Sequence, residues 1–179
     1  MAVTYLIIAH LFADFILQSN RLITWKTKHI IGVLIHVGIF ALVALLLLFP
    51  YLIFWETWAI VILISIFHLI IDQTKINIAL RFDTYALPFI TDQLLHFFSL
   101  LVGGYYLNTL PLVLPDTRFF VSIYANPTVV SVILAFIFLA YIANILFFQQ
   151  DRSRAMNISK IVSFVIIYIF YVAAALFML

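Results

Sequence analysis

Long apolar stretches separated by short polar segments run through the whole chain. Six such stretches cover residues 4–18, 30–49, 57–72, 87–107, 128–148 and 158–179. A membrane-spanning helix needs about 20 predominantly apolar residues, and most of these stretches reach or approach that length. The pattern predicts an all-α polytopic membrane protein, a bundle of six transmembrane helices that forms one domain over residues 1–179.

Composition excludes most alternatives to a membrane protein. Of the 179 residues, 67% are hydrophobic and only 9% are charged, whereas soluble domains carry about 25% charged residues. The chain has no cysteine, so disulfides and thiolate metal sites are excluded. A net charge of +2 is too small to indicate nucleic acid as a partner. The N-terminus lacks the basic region of a signal peptide.

Basic residues lie almost entirely on one side of the predicted bundle. The segments after the first, third and fifth stretches hold eight of the nine Lys and Arg residues: Arg21, Lys26, Lys28, Lys75, Arg81, Arg152, Arg154 and Lys160. The opposite side has only Arg118. By the positive-inside rule these three segments are cytoplasmic, so both termini are predicted to be non-cytoplasmic.

Three histidine–aspartate pairs at i, i+4 spacing occur in three separate apolar stretches. They are His10 with Asp14, His68 with Asp72, and Asp92 with His96; a further histidine is His36. Each spacing places both side chains on one helix face. Ionisable residues inside transmembrane segments are costly and indicate a functional site. In the predicted topology all seven fall in the cytoplasmic half of the membrane.

Imidazole nitrogens and carboxylate oxygens together are typical ligands of divalent metals. The three pairs are therefore the predicted metal ligands, and His36 is a ligand or a catalytic general base. Lys75, Gln18 and Gln93 are assigned to substrate binding, the glutamines also as donors that orient the carboxylates. Lys75, Lys26 or Lys28 could attract an anionic head group.

The first two pairs of apolar stretches also show a possible duplication. A histidine, an aspartate and a second histidine recur after 58, 58 and 60 residues: His10, Asp14 and His36, then His68, Asp72 and His96. The predicted repeat units are 1–50 and 51–107, followed by helices five and six over 128–179.

Several short motifs resemble a known family. HLFADFILQ, a following Trp and Lys, His36, HLIIDQTK and DQLLH together resemble a bacterial family of small integral membrane proteins, domain of unknown function 3307, over roughly residues 9–99. The resemblance implies a multi-pass protein of the bacterial cytoplasmic membrane. It implies no particular reaction.

Three functions fit these observations. The first is metal-assisted hydrolysis of a lipid-linked or amphipathic substrate, with a divalent metal of unspecified identity as cofactor. The second is a small transporter, or the substrate-binding membrane subunit of one, that uses the polar residues for cation or proton handling. The third is a structural membrane subunit in which His–Asp hydrogen bonds fix helix packing. The predicted partners are the lipid bilayer and a lipid-linked or anionic substrate.

Overall fold

The computed structural model describes residues 1–82, 86–114, 124, 126, 128–130 and 132–137. Within these ranges the chain is all-α and contains no β-strand, which confirms that part of the predicted fold class. The elements are α1 (Ala2–Leu11), a π-helical turn (Phe12–Ile16), α2 (Asn20–Lys28), α3 (Ile30–Leu47), a 3-10 turn (Phe49–Tyr51), α4 (Trp55–Phe82) and α5 (Ala86–Leu107). The predicted sixth helix and most of the fifth lie outside the described residues.

Among the described residues, two helices are long and apolar enough to cross a membrane, namely Ile30–Leu47 and Trp55–Ile78. Their outer faces, with that of α5, expose large apolar side chains, among them Leu34, Leu42, Leu46, Ile62, Phe67, Ile70, Phe98 and Tyr105. Soluble monomers rarely expose extended apolar surface of this kind. The interior contains an apolar core around α1 together with buried His and Asp side chains. The apolar exterior supports a membrane location, while the number of spans stays a prediction.

Helix α1 is the buried centre of the described structure. All ten of its residues are buried, and it packs against α3 and α5. Its first backbone amide, that of Ala2, donates to Asn108 Oδ1 at 2.8 Å, which satisfies a donor that the helix itself leaves unpaired. The backbone of α1 also comes close to α5, because Gly104 has no side chain to meet Val3. At ten residues α1 is about 15 Å long and shorter than a membrane span.

A π-helical turn follows α1 and changes the register of the residues after it. The Leu17 amide donates to the Phe12 carbonyl at 3.0 Å, five residues back instead of four. Asp14 lies in this widened turn, and the helix ends at Ile16. On a regular α-helix the i, i+4, i+8 spacing would place His10, Asp14 and Gln18 on one face. The structure corrects this, because the π turn and the end of the helix remove Gln18 from that register.

Two segments predicted as loops are helical. Residues 20–28 form α2, which begins after Ser19, whose Oγ accepts from the Leu22 amide at 3.3 Å. Ser is a preferred N-cap residue, and the sequence analysis did not use that signal. Helix α4 continues past Asp72 to Phe82, so Lys75 and Arg81 are helical. No Gly or Pro interrupts residues 73–82, so nothing in that stretch breaks the helix.

Candidate functional site

The structure brings all seven predicted His and Asp residues into one buried group, here called the His/Asp cluster. It consists of His10 from α1, Asp14 from the π-helical turn, His36 from α3, His68 and Asp72 from α4, and Asp92 and His96 from α5. Six members are at most 2% exposed, and the Asp14 side chain is 7% exposed. Helices α3 and α5 pack against α1, and α4 packs against α3 and α5, so residues far apart in sequence converge near the C-terminal end of α1.

Two imidazoles form the centre of the cluster. His36 Nε2 and His68 Nε2 are 3.3 Å apart. Asp14 Oδ1 lies 3.3 Å from His36 Nε2 and 4.0 Å from His68 Nε2. Asp72 Oδ2 lies 3.5 Å and 4.0 Å from the same two nitrogens. Two carboxylates therefore contact one pair of imidazole nitrogens.

His10 extends the cluster and carries the contact with Asp14. Its Nδ1 lies 3.4 Å from Asp14 Oδ1. Its ring stacks on that of His96, with centroids 4.8 Å apart, and the His96 ring meets the His68 ring edge-on at 4.1 Å. The Phe40 ring lies 5.0 Å from the His68 ring. The His68 ring thus contacts the other three imidazole rings and the Phe40 ring.

His96 has a defined proton arrangement. Its Nδ1 is 2.7 Å from the backbone carbonyl oxygen of Asp92. A carbonyl oxygen can only accept, so Nδ1 carries the hydrogen and Nε2 of the neutral ring carries a lone pair. That buried Nε2 has no hydrogen-bond partner among the described residues. A histidine that donates one nitrogen and keeps the other as a bare lone pair has the arrangement typical of metal ligands.

Two lysines neutralise part of the negative charge. Lys75 Nζ lies 2.7 Å from Asp92 Oδ2 and 3.5 Å from Asp72 Oδ1. Lys26 Nζ lies 3.2 Å from Asp72 Oδ2, and Lys26 is only 6% exposed. Lys26 belongs to the site, which its sequence position did not predict. Its place in a basic segment predicted only a surface charge for an anionic head group. The unusual burial of a lysine follows from its carboxylate partner.

Among the described residues, Asp14 is the one carboxylate of the cluster without an ammonium partner. Three aspartates face two lysines, and both lysines contact Asp72 or Asp92. The side-chain contacts of Asp14 within the described residues are with histidines. With neutral imidazoles the cluster keeps one uncompensated negative charge, and a buried charge of that kind is costly unless a cation neutralises it.

The two glutamines predicted at the site differ. Gln93 is 1% exposed, and its Nε2 donates to Asp92 Oδ2 at 2.9 Å, so it orients that carboxylate. Gln18 is half-buried beyond the π-helical turn and makes no hydrogen bond to the cluster within the described structure. Lys75, 20% exposed, is the most accessible polar group that touches the cluster.

The geometry fits a metal ion in several ways. Three sets of ligand atoms lie within 4.8 Å of one another: His10, Asp14 and His68; His36, His68 and Asp72; and Asp72, Asp92 and His96. Bonds of roughly 2.0–2.1 Å at tetrahedral angles place ligand atoms roughly 3.3 Å apart. Three of the contacts around His36 and His68 measure 3.3–3.5 Å. These groups could hold a metal, and many of them also form ion pairs with one another.

The fold and the site of the described residues define a class of protein. It is an all-α protein with an apolar exterior, two candidate membrane spans and a buried His/Asp cluster. The profile of the family described as protein of unknown function DUF3307 matches residues 2–118. The chain belongs to this family, which confirms the resemblance, and the matched range contains the whole cluster. No curated protein and no solved structure is significantly similar to the chain.

Proposed function

We propose that the chain is a multi-pass protein of the bacterial cytoplasmic membrane that binds a divalent metal ion in the His/Asp cluster and uses it to hydrolyse a lipid-linked or amphipathic substrate. Six transmembrane helices with both termini outside the cytoplasm complete the proposal. The eight-to-one distribution of basic residues supports this orientation. In it the cluster lies in the cytoplasmic half of the bilayer.

The observation that supports metal binding is the uncompensated charge on Asp14. Its Oδ1 lies 3.3 Å from His36 Nε2 and 3.4 Å from His10 Nδ1, with no lysine beside it in the described structure. A cation held by Asp14 and neighbouring imidazoles would give the Asp14 carboxylate a positive partner. The Asp72–Asp92 side has less need of one, because Lys75 and Lys26 already contact those carboxylates.

The residues divide into roles under this proposal. His36 and His68, with Asp14 or Asp72, would hold the ion, and a bound divalent ion supplies Lewis acidity and a nucleophile at neutral pH. His10 contacts Asp14 and fixes its carboxylate. Lys75, the most accessible charge at the cluster, would attract an anionic group of the substrate.

Elemental analysis of the full-length protein, purified in a mild detergent, tests the metal. We expect close to one equivalent of one divalent metal in the wild type. Asp14→Asn and His68→Gln should lose most of it, because each removes a ligand at the centre. His29→Gln is the matched control, since His29 is exposed and outside the cluster, and it should keep its metal. Wild-type protein without metal, and indifferent to added divalent ions, would refute the proposal.

The burial of the cluster favours a second candidate, cation or proton handling without hydrolysis. His10, His36 and Asp72 are 0% exposed, so the described structure shows no open coordination position for a substrate. Catalytic metal sites keep such a position, whereas closed sites do not. A protonated imidazole would also balance Asp14. Proton release on binding of a cation, with no turnover of lipid phosphates, would favour this candidate.

Reporter fusions test the proposed topology. A reporter active only in the cytoplasm, joined after Leu179, should give no signal if the C-terminus is outside. The same reporter inserted after His29, in the basic segment between α2 and α3, should be active. The reverse result would place the cluster in the outer half of the membrane. A structural subunit would show the predicted topology but no metal and no cation response.

A further inference from the structure

Helix α2 carries a basic surface groove outside the His/Asp cluster. The groove is lined by residues that include Arg21, Thr24, Trp25, Lys28 and His29, and no acidic side chain lies among its lining residues. Arg21, Trp25 and Lys28 follow one another at i, i+4 and i+7, so they share one face of the helix. Two fixed positive charges therefore flank a half-exposed indole.

The opposite face of α2 is anchored to the bundle. Leu22 and Lys26 are 8% and 6% exposed, and Lys26 forms the ion pair with Asp72. The backbone at Lys26 and Trp25 passes so close to Gly32 of α3 that a side chain at Gly32 would meet it. The helix therefore holds the groove in a fixed orientation. Because Lys26 is engaged inside, the charges available to an outside ligand are those of Arg21 and Lys28.

The groove also borders the surface that would face lipid. Ile30 and Ile31 at the start of α3 are 51% and 56% exposed, and Leu34 one turn later is exposed as well. Trp25 has the position typical of tryptophan at a membrane interface, with an apolar body and a polar N–H. A ligand here would meet positive charge on one side and apolar surface on the other.

We propose that this groove binds the phosphate of an anionic membrane lipid, with the Arg21 guanidinium and the Lys28 ammonium on the phosphate oxygens and the Trp25 ring beside the glycerol region. Arginine and lysine recognise phosphate through charge-assisted hydrogen bonds. Juxtamembrane basic residues attract anionic lipids. The inference rests on the membrane location proposed above and is independent of the metal.

Quenching of Trp25 fluorescence by brominated lipids tests the site. The full chain with Trp55→Phe and Trp58→Phe, which leaves Trp25 as its one tryptophan, is placed in nanodiscs of phosphatidylcholine with a rising fraction of brominated phosphatidylglycerol. Brominated phosphatidylcholine at the same fractions is the zwitterionic arm. Inorganic phosphate and glycerol phosphate form the soluble arm, added in competition. We expect brominated phosphatidylglycerol to reach half-maximal quenching at a much lower fraction than brominated phosphatidylcholine.

Charge variants locate the effect. Arg21→Gln with Lys28→Gln should weaken the preference for the anionic lipid roughly 25-fold, the product of about fivefold for each basic side chain near a membrane surface. Arg81→Gln, which removes an exposed charge on α4 outside the groove, should leave the preference unchanged. Metal content and melting temperature of each variant are measured alongside, so that a failure of the groove is distinguished from misfolding and from a failure of the metal site.

Three results would overturn the proposal. Equal quenching by both brominated lipids would show that the groove does not select charge. An unchanged preference in a folded Arg21→Gln/Lys28→Gln variant would place the anionic lipid elsewhere. Displacement of the lipid by millimolar inorganic phosphate would identify the ligand as a soluble anion. If the double variant does not fold, Arg21→Lys with Lys28→Arg, which keeps both charges, must fold and retain the preference.

Discussion

Replacing Gly32 by alanine tests how α2 is attached to the bundle. A Cβ at Gly32 would lie 2.6 Å from the Lys26 backbone nitrogen, 2.7 Å from Lys26 Cα and 2.7 Å from the Trp25 carbonyl carbon. All three are backbone atoms, so no side chain can move aside and α2 must shift away from α3. Gly38, in the same helix, is the matched control, because a Cβ there meets nothing within 4 Å.

The expected changes in the free energy of unfolding have opposite signs for Gly32→Ala and Gly38→Ala. Overpacking of this kind costs about 1–3 kcal/mol. The shift also carries Lys26 away from Asp72, and breaking a buried ion pair costs about 3–5 kcal/mol when one partner is left unpaired. Asp72 keeps Lys75 at 3.5 Å, so only part of that cost applies. We expect Gly32→Ala to lose about 3 kcal/mol in total. Gly38→Ala should gain about 0.5–1 kcal/mol from helix propensity.

Reversible unfolding in mixed micelles, with rising dodecyl sulfate as the denaturant, measures both variants. The fluorescence of Trp25, followed with Trp55 and Trp58 replaced by phenylalanine, reports separately whether α2 has moved. Gly32→Ala should unfold at a lower dodecyl sulfate fraction than the wild type, and Gly38→Ala at an equal or higher one. If the two alanine variants unfold within about 0.5 kcal/mol of each other, the close packing of α2 on α3 is wrong.

The remaining predictions concern the interior. Gly104→Ala should destabilise the protein by about 2 kcal/mol or more, because its Cβ would meet the Val3 backbone. Gly103→Ala should destabilise it less, because the nearest atom is the flexible end of the Ile64 side chain. Thermal unfolding of the two variants measures the difference. Lys26→Met should lower the free energy of unfolding by about 3 kcal/mol, whereas exposed Lys28→Met should change it by less than about 0.5 kcal/mol, both followed by chemical unfolding. Acidification should weaken binding of the proposed metal, because imidazoles ligate only when neutral; an affinity that does not change between about pH 8 and pH 5 would contradict imidazole ligation.

Part of the cluster could be predicted from spacing. The i, i+4 pairs placed each histidine beside its aspartate, as the contacts of His10 with Asp14 and of His96 with Asp92 show. Hydrophobicity indicated that the helices carrying them would pack together, because their polar side chains had no favourable place on an apolar exterior. All-α structure was predictable from the apolar stretches, and family membership from the motifs HLFADFILQ, HLIIDQTK and DQLLH. What these residues bind stays a proposal.

Other features depend on tertiary contacts that spacing does not encode. Lys26 follows an exposed tryptophan in a basic segment, and only the fold shows that its ammonium reaches Asp72, 46 positions away. The π-helical turn at Asp14 adds one residue to a turn, which no period-based pattern contains, and it displaced Gln18. Helix α2 was missed because its sequence is polar and short, so its Ser19 cap was the available signal.

The cluster is asymmetric, and the asymmetry indicates where its chemistry would occur. Asp72 and Asp92 are held by Lys26 and Lys75, ammonium groups that are covalently fixed and cannot exchange. Within the described structure the ion-pair contacts of Asp14 are with histidines, which carry charge only when protonated and can otherwise hold a cation. It is also the most exposed carboxylate of the three, at 7%, and lies in a π-helical turn, a feature frequent at functional sites. A site that must take up and release a cation requires one side with fixed charges and another side whose cation can exchange. The two proposed functions, metal-assisted hydrolysis and proton handling, therefore differ in which cation occupies the Asp14 side. In either case the protein would lose its function if Asp14 were neutralised.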